Sequence, residues 1–148
     1  MNKIKNQIKN EILNNSFPIV IYNDLLEKEN KSRIYSENKS KCGIYRWVNL
    51  INNKSYIGCS INITTRLYSY YSIKSLKSNL LLGNCYICEA LLKYGHKNFR
   101  LEILEYSNKE DLLSREQYYI NMIKPEYNIL KKKYVFRKYF YSIYILYL

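Results

Sequence analysis

Glycine and proline are scarce, with four and two residues in a chain of 148. The glycine-rich phosphate cradles G-x-x-x-x-G-K-[ST] and G-x-G-x-x-G are absent. So is any Gly/Ser/Pro-rich linker that would divide the chain. There is one histidine, His96, and no Ser-His-Asp or Cys-His set is recognisable. Of the four cysteines, Cys85 and Cys88 form a lone C-x-x-C with no second pair at zinc-ligand spacing. Buried thiols are expected there, not a zinc site. Long apolar runs are also missing. The longest, Tyr139 to Leu148, is too short to span a bilayer, so no membrane partner is expected. The N-terminus has no apolar core of a secretory signal, and it mixes acids with bases, unlike a transit peptide.

Acidic residues are few as well: 12 against 24 Lys and Arg, a net charge of +12. An excess of that size favours a polyanionic partner, because cations near phosphates release condensed counterions. A merely basic soluble protein is the plainer alternative. What is abundant is tyrosine, with 18 residues, which stacks on bases or packs in a core. Asn, Ile, Lys and Tyr all have A/T-rich codons. Their heavy use suggests a very A+T-rich genome such as an organelle's, a hypothesis that the nucleotide sequence tests.

Three zones are readable. Residues 1–41 form a mixed-charge leader of net +3, in which Pro18 to Tyr22 suits a short strand laid on the core. Asp24 to Glu37 suits an exposed helix or loop. Residues 42–130 form the domain proper. Residues 131–148 form a basic and aromatic tail, and the last twenty residues carry +5 with no acid.

Within the domain, alternation predicts a strand over Ile44 to Leu50 and a return over Tyr56 to Cys59. A two-residue turn at Asn52-Asn53 would join them. Asn62 is placed to cap a helix with Ile63, Leu67 and Tyr70 on one face. A second helix is predicted over Cys85 to Tyr94, stopped by Gly95. Phe99, Leu101 and Ile103 alternate as a third strand. Ser107-x-x-Glu110 has the form of a capping box for a third helix, which Pro125 ends. The order ββ-α-α-β-α implies an α+β fold, a small three-stranded antiparallel sheet flanked by helices.

Chemistry concentrates at a few positions. The expected hairpin pairs Asn49 with Tyr56 and Tyr45 with Ser60, which sets Tyr45, Gly58 and Tyr56 on one face. Gly58 would leave a gap for a backbone or a phosphate. Two sheet tyrosines and a bulge glycine explain the hairpin equally well. Arg66 follows Ile63 by three and precedes Tyr70 by four, so it faces the sheet, where its planar fork suits phosphate. Glu116 interrupts the stripe Leu112, Leu113, Tyr119, Ile120, Ile123. A carboxylate on a buried face requires pairing, protonation or a metal. His96 follows a helix-stop glycine and is expected to be solvated.

Taken in order, these residues resemble the GIY-YIG nuclease superfamily. Gly43-Ile44-Tyr45 is followed by Tyr56-Ile57-Gly58, then Arg66, Tyr70, Glu116 and Asn128, over about residues 42–130. The stretches Lys93-Tyr94-Gly95, Arg115-Glu116-Gln117-Tyr118-Tyr119-Ile120 and Lys124-Pro125-Glu126-Tyr127-Asn128 are most similar to homing endonucleases encoded in fungal mitochondrial introns. The resemblance implies a metal-dependent DNA endonuclease acting on A+T-rich DNA, such as an intron-insertion site, in a mitochondrion. Glu116 would hold one Mg²⁺ or Mn²⁺, Arg66 would offset phosphoryl charge, and Tyr45 would accept a proton from water. Tyr56 and Tyr70 would orient water or phosphate, and Gly58 and Asn128 would fix positions. Two departures, Asn53 for a turn glycine and Cys59 for serine, remove no catalytic group. The tail, with Lys131, Lys132, Lys133, Arg137 and Lys138 as candidate DNA contacts, replaces the helical recognition modules of longer relatives and reads as truncated. A structure-specific repair nuclease, and a non-catalytic nucleic-acid-binding remnant or splicing helper, are the competing readings.

Overall fold

The computed structural model describes residues 18–83 and 85–128. The elements are β1 (Val20–Tyr22), α1 (Lys28–Glu37), β2 (Gly43–Asn49), β3 (Ser55–Ser60), α2 (Ile63–Tyr71), α3 (Ile73–Leu81), α4 (Tyr86–Tyr94), β4 (Phe99–Tyr106) and α5 (Leu112–Ile123). Short 3₁₀ turns occupy His96–Asn98 and Glu126–Asn128. Every neighbouring strand pair in the sheet is antiparallel, in the order β1-β4-β2-β3. The class is α+β, as expected, with four strands instead of three. The fourth comes from the leader: Val20 to Tyr22 pairs with Leu101 to Ile103 and extends the sheet at one edge.

Alternation along the strands divides the interior into two layers. Tyr45, Trp47, Tyr56, Phe99, Leu101 and Ile103 face a large cluster completed by Ile34, Leu67, Leu76 and Leu91 of α1 to α4. Ile44, Ile57, Cys59 and Leu104 face the other way, where Leu112 and Tyr119 of α5 cover them. The leader is tied down by polar contacts. Tyr22 donates to Glu37 at 2.6 Å, and Asn38 receives the Tyr106 hydroxyl at 2.9 Å.

The hairpin register differs from the expected one by two residues. Tyr45 pairs with Gly58 and Trp47 with Tyr56, and the Asn49 N–H bonds the Lys54 carbonyl at 2.9 Å. A longer turn replaces the two-residue one because the Asn53 N–H closes back on the Asn49 carbonyl at 2.8 Å, with Asn53 at φ +59°. A shift of two conserves the period of two, so the expected side chains still share a face. Four further differences concern helix ends and cysteines. Residues Ile73 to Leu81, not anticipated as an element, form α3 under a Ser72 cap whose hydroxyl accepts from the Ser75 N–H. The Ser107–Glu110 capping box does not form. Helix α5 starts later, at Leu112 behind Asp111, because the Ser107 N–H is held by the Cys42 carbonyl at 3.0 Å and keeps that segment extended. Leader residues 28–37 take the helical of the two expected forms, but with Ile34 buried and not exposed. Cys85 and Cys88 are joined by a disulfide and are not free thiols, their Cα atoms brought to 5.3 Å at the first turn of α4. Among the described residues no helix is long and apolar enough to cross a membrane.

Among the described residues, the outer edge of β3 is closed by side chains and by no further strand. Asn128 accepts from the Ile57 N–H and donates to the Ile57 carbonyl, both at 2.7 Å, and Glu126 accepts from the Ser55 N–H at 2.9 Å. An edge strand left open invites mispairing, and an amide side chain satisfies both its groups at once. Replacing Asn128 by Ala is expected to lower stability by about 1–3 kcal/mol in urea denaturation. A loss under about 0.5 kcal/mol would contradict this pairing.

Candidate active site

Three elements bring five of the expected residues together. β2 supplies Tyr45, β3 supplies Tyr56 and Gly58, and α2 supplies Arg66 and Tyr70. Asn62 sets the phase of α2, its side-chain oxygen accepting from the Thr65 N–H at 3.1 Å. From that start the helical period turns Ile63, Leu67 and Tyr70 into the core and carries Arg66 to the same side. Tyr45 is aimed by an irregularity in β2, whose register against β4 shifts between Ile44 and Tyr45. Gly43 permits the close approach there, since a Cβ would overlap the Glu105 carbonyl oxygen.

The polar atoms converge. The Tyr45 and Tyr70 hydroxyls are hydrogen-bonded at 3.1 Å. Arg66 donates through Nε to Tyr45 at 3.4 Å and through Nη2 to Tyr70 at 3.5 Å. The rings of Tyr45 and Tyr56 both meet Tyr70 edge-on, at 6.0 and 6.5 Å, and Trp47 packs on Tyr70 at 5.5 Å. Tyr45 and Tyr70 are fully buried and Tyr56 is 8% exposed. The oxygens of Tyr70 and then Tyr45 hold the Arg66 guanidinium well above its ordinary pKa against the opposing effect of burial, with Tyr56 adding to them. Burial, then Tyr45, drives the Tyr70 phenol far above its usual range, while Arg66 pulls the other way. Tyr70 is therefore a protonated phenol at any working pH, a hydrogen-bonding group and not a base.

Gly58 differs from its expected use. The space beside it is filled by the Tyr45 ring: a Cβ at Gly58 would lie 2.5 Å from the Tyr45 hydroxyl oxygen and 2.7 Å from its Cζ. The missing side chain makes room for the Tyr45 ring and does not leave a gap for phosphate. His96 is not solvated either. Its Nε2 lies 2.9 Å from the Tyr70 carbonyl oxygen and its ring stacks on Tyr71 at 4.9 Å. Burial holds its pKa below the ordinary imidazole value.

Glu116 is supplied by α5, which packs along β3, the strand of Tyr56 and Gly58. It is 5% exposed, in one buried stripe with Leu112 and Tyr119. The neighbouring Arg115 grips both oxygens of Glu105 at 2.6 to 2.9 Å, and Tyr119 donates to the same carboxylate at 2.8 Å. Burial, then the bond to Glu105, pushes the Tyr119 phenol up to about 12. The Glu105–Arg115–Tyr119 anchor fixes α5 and with it Glu116. It was not read from the sequence, since Glu105 and Arg115 lie ten residues apart on different elements. Tyr127 was also missed: its hydroxyl accepts from Asn49 at 3.1 Å and Asn52 at 3.2 Å. Lys131, Lys132, Lys133, Arg137 and Lys138 lie outside the described residues.

The donor set suits a particular kind of metal ion. Among the described residues no three His, Cys, Asp or Glu gather into a cage. One buried carboxylate fits Mg²⁺, which keeps most of its waters and is held by one or two carboxylates together with substrate phosphate.

Two measurements test this geometry. Gly58→Ala is expected to cost about 1–3 kcal/mol by overpacking, and nothing in a Tyr45→Ala background, where the clash is gone. Equal costs in both backgrounds would contradict the Tyr45–Gly58 contact. The neutral form of His96 is favoured by folding, so protons bind the unfolded chain more readily below the ordinary value of about 6.5. Stability should thus fall as pH drops from about 6.5 toward the lower folded value, and His96→Gln should flatten that fall. A slope unchanged by the substitution would assign it to other groups.

Comparison with known proteins places this arrangement. The profile of the GIY-YIG catalytic domain matches residues 41–128. A probable intron-encoded endonuclease, bI1 of Neurospora crassa, is 28% identical over 120 residues, 76% of this chain and 26% of that protein. UvrABC system protein C of Mycoplasmoides gallisepticum is 33% identical over 93 residues, 62% of this chain and 14% of that one. This chain thus spans about a quarter of the Neurospora relative and a smaller part of the other. The solved catalytic domain of the homing endonuclease I-TevI is similar at 26% identity, with a TM-score of 0.46, over 60% of this chain and 94% of that domain. With a family profile covering more than half of its length and the two name-giving triplets paired across one hairpin, the chain belongs to the GIY-YIG catalytic domain family.

Proposed function

We propose that this domain is a DNA endonuclease that hydrolyses phosphodiester bonds with one divalent cation, Mg²⁺ or Mn²⁺. The observation that carries the reading is one guanidinium set among three phenols, with a buried carboxylate on the helix packed along the same edge strand. Arg66 is permanently charged, and it would bind the scissile phosphate and offset the charge that grows on its oxygens. Tyr45 would take the proton of the attacking water. A donor and a positive charge at 3.4 Å stabilise its oxygen when it becomes anionic, and Tyr70, held protonated, donates from 3.1 Å. Tyr56, on the same face, would orient the water or the phosphate. Glu116 would hold the cation, whose chemistry, when bound, is Lewis-acid stabilisation of the phosphate and of the leaving oxygen. Gly58 seats Tyr45, and Asn128 secures β3.

The Neurospora relative, a probable intron-encoded endonuclease, supports a homing role, and the heavy use of residues with A/T-rich codons is the ground for proposing A+T-rich insertion-site DNA in a mitochondrion as its setting. The similarity to UvrABC system protein C goes with a second reading, a structure-specific nuclease of DNA repair. Preference for one sequence over bubbles or flaps would favour homing, and the reverse preference would favour repair-type cutting. The net charge of +12 supports duplex binding that weakens steeply with salt.

Supercoiled plasmid is expected to be nicked with Mg²⁺ and left intact with EDTA. Arg66→Ala should lower the rate by about a hundredfold or more, the scale of losing one charge-stabilising donor. Glu116→Ala should abolish the response to Mg²⁺. Wild-type protein that never nicks, or variants that nick as wild type does, would overturn the proposal.

A further inference from the structure

The β2–β3 hairpin ends in two consecutive aliphatic side chains turned to water. Leu50 is 48% and Ile51 60% exposed. A tip of this kind in a basic protein is ordinarily polar and free to move. This one is neither. The Leu50 N–H bonds the Asn98 carbonyl at 2.8 Å, and the Ile51 N–H bonds the Asn49 side-chain oxygen at 2.9 Å. Asn52 accepts from the Lys54 N–H at 3.0 Å. Asn49 and Asn52 both donate to the Tyr127 hydroxyl, so the closing segment of the domain clamps the turn. Three hydrogen-bonding side chains thus hold rigid a feature whose exposed content is apolar.

The charge around the tip is mostly positive. Lys54 follows it and is exposed. Lys97, also exposed, adjoins Asn98, whose carbonyl receives Leu50. Lys124, exposed, leads into the segment that supplies Tyr127. The one acid of that segment, Glu126, accepts from the Ser55 N–H at 2.9 Å, which draws its carboxylate to the edge of β3. A rigid aliphatic point with lysines on the segments that brace it matches the devices by which proteins unstack a base step, an apolar wedge beside cations that hold the flanking phosphates.

We infer that Leu50 and Ile51 form a wedge that enters double-stranded DNA and opens a base step at a fixed distance from the cut. The inference rests on the nuclease reading and adds to it how the duplex is deformed. At about 3.3 Å per strand residue, the tip lies roughly 10–15 Å from Tyr56, or about three to four base pairs along the duplex. Opening the stack there lets the backbone bend into a site whose phenols are buried. Because both side chains are exposed and the brace is made by backbone groups and by the side chains of other residues, their replacement leaves the fold intact.

The test uses the full chain and the variant Leu50→Asn/Ile51→Asn on linear duplexes carrying 2-aminopurine, with EDTA to prevent cutting. Wild type is expected to raise the fluorescence at one step, and the variant to leave it unchanged while binding within about threefold of wild-type affinity. With Mg²⁺ the variant should nick intact duplex about tenfold more slowly, and recover to within about threefold on duplex with a mismatch already at that step. No wild-type fluorescence change, a variant that nicks intact duplex at the wild-type rate, or an equal loss on both duplexes would each overturn the wedge. Wild type that unstacks the step but never nicks would instead sink the nuclease reading and leave the wedge standing.

Discussion

The arrangement depends on the seating of one aromatic ring on one glycine. Tyr45 lies across Gly58 so closely that no β-carbon fits between them. That contact fixes the height of the Tyr45 hydroxyl above the sheet, and the 3.1 Å bond to Tyr70 and the 3.4 Å bond from Arg66 follow from it. Shift the ring by the width of a methyl group and both lengthen beyond hydrogen-bonding range. The two name-giving triplets are therefore one structural unit. The tyrosine of the first needs the glycine of the second, and antiparallel pairing places them opposite each other.

Burial gives the four groups different work. A guanidinium keeps its charge when enclosed, because its pKa is far from neutrality and the surrounding oxygens favour the cation. A phenol under the same conditions keeps its proton, as Tyr70 does. One positive group and one reliable donor thus face Tyr45, and both favour negative charge on its oxygen. The helix that supplies Glu116 covers the opposite face of the sheet from α2. Among the described residues β3 is an edge strand, closed by Asn128 and Glu126, so groups carried on both faces can be addressed beside it.

Much of this was legible in the sequence, for identifiable reasons. The strand period put Tyr45, Trp47 and Tyr56 on one face even with the register two residues off, since parity survives that error. Helix periodicity turned Arg66 inward from Asn62 and marked Glu116 as a buried acid, because both arguments are local. What escaped was not local. Helix α3 has a weak apolar stripe and is held by α2 and α4. Ser107 did not cap α5 because Cys42, the residue before β2, took its N–H. His96 looked like a loop residue until Tyr71 and the Tyr70 carbonyl closed around it. Gly58 was read as a space, and only the three-dimensional course of the Tyr45 ring shows what fills it.

The central claim is that Tyr45 accepts a proton in a field set by Arg66. Single-turnover nicking across pH, for wild type and Tyr45→Phe, tests it most directly, because phenylalanine keeps the ring on Gly58 and removes only the oxygen. The account expects a wild-type rate that climbs with pH as the phenol ionises, and a variant rate lower by about a hundredfold or more with that climb gone. A Tyr45→Phe protein that nicks within about threefold of wild type, with the same pH profile, would contradict it.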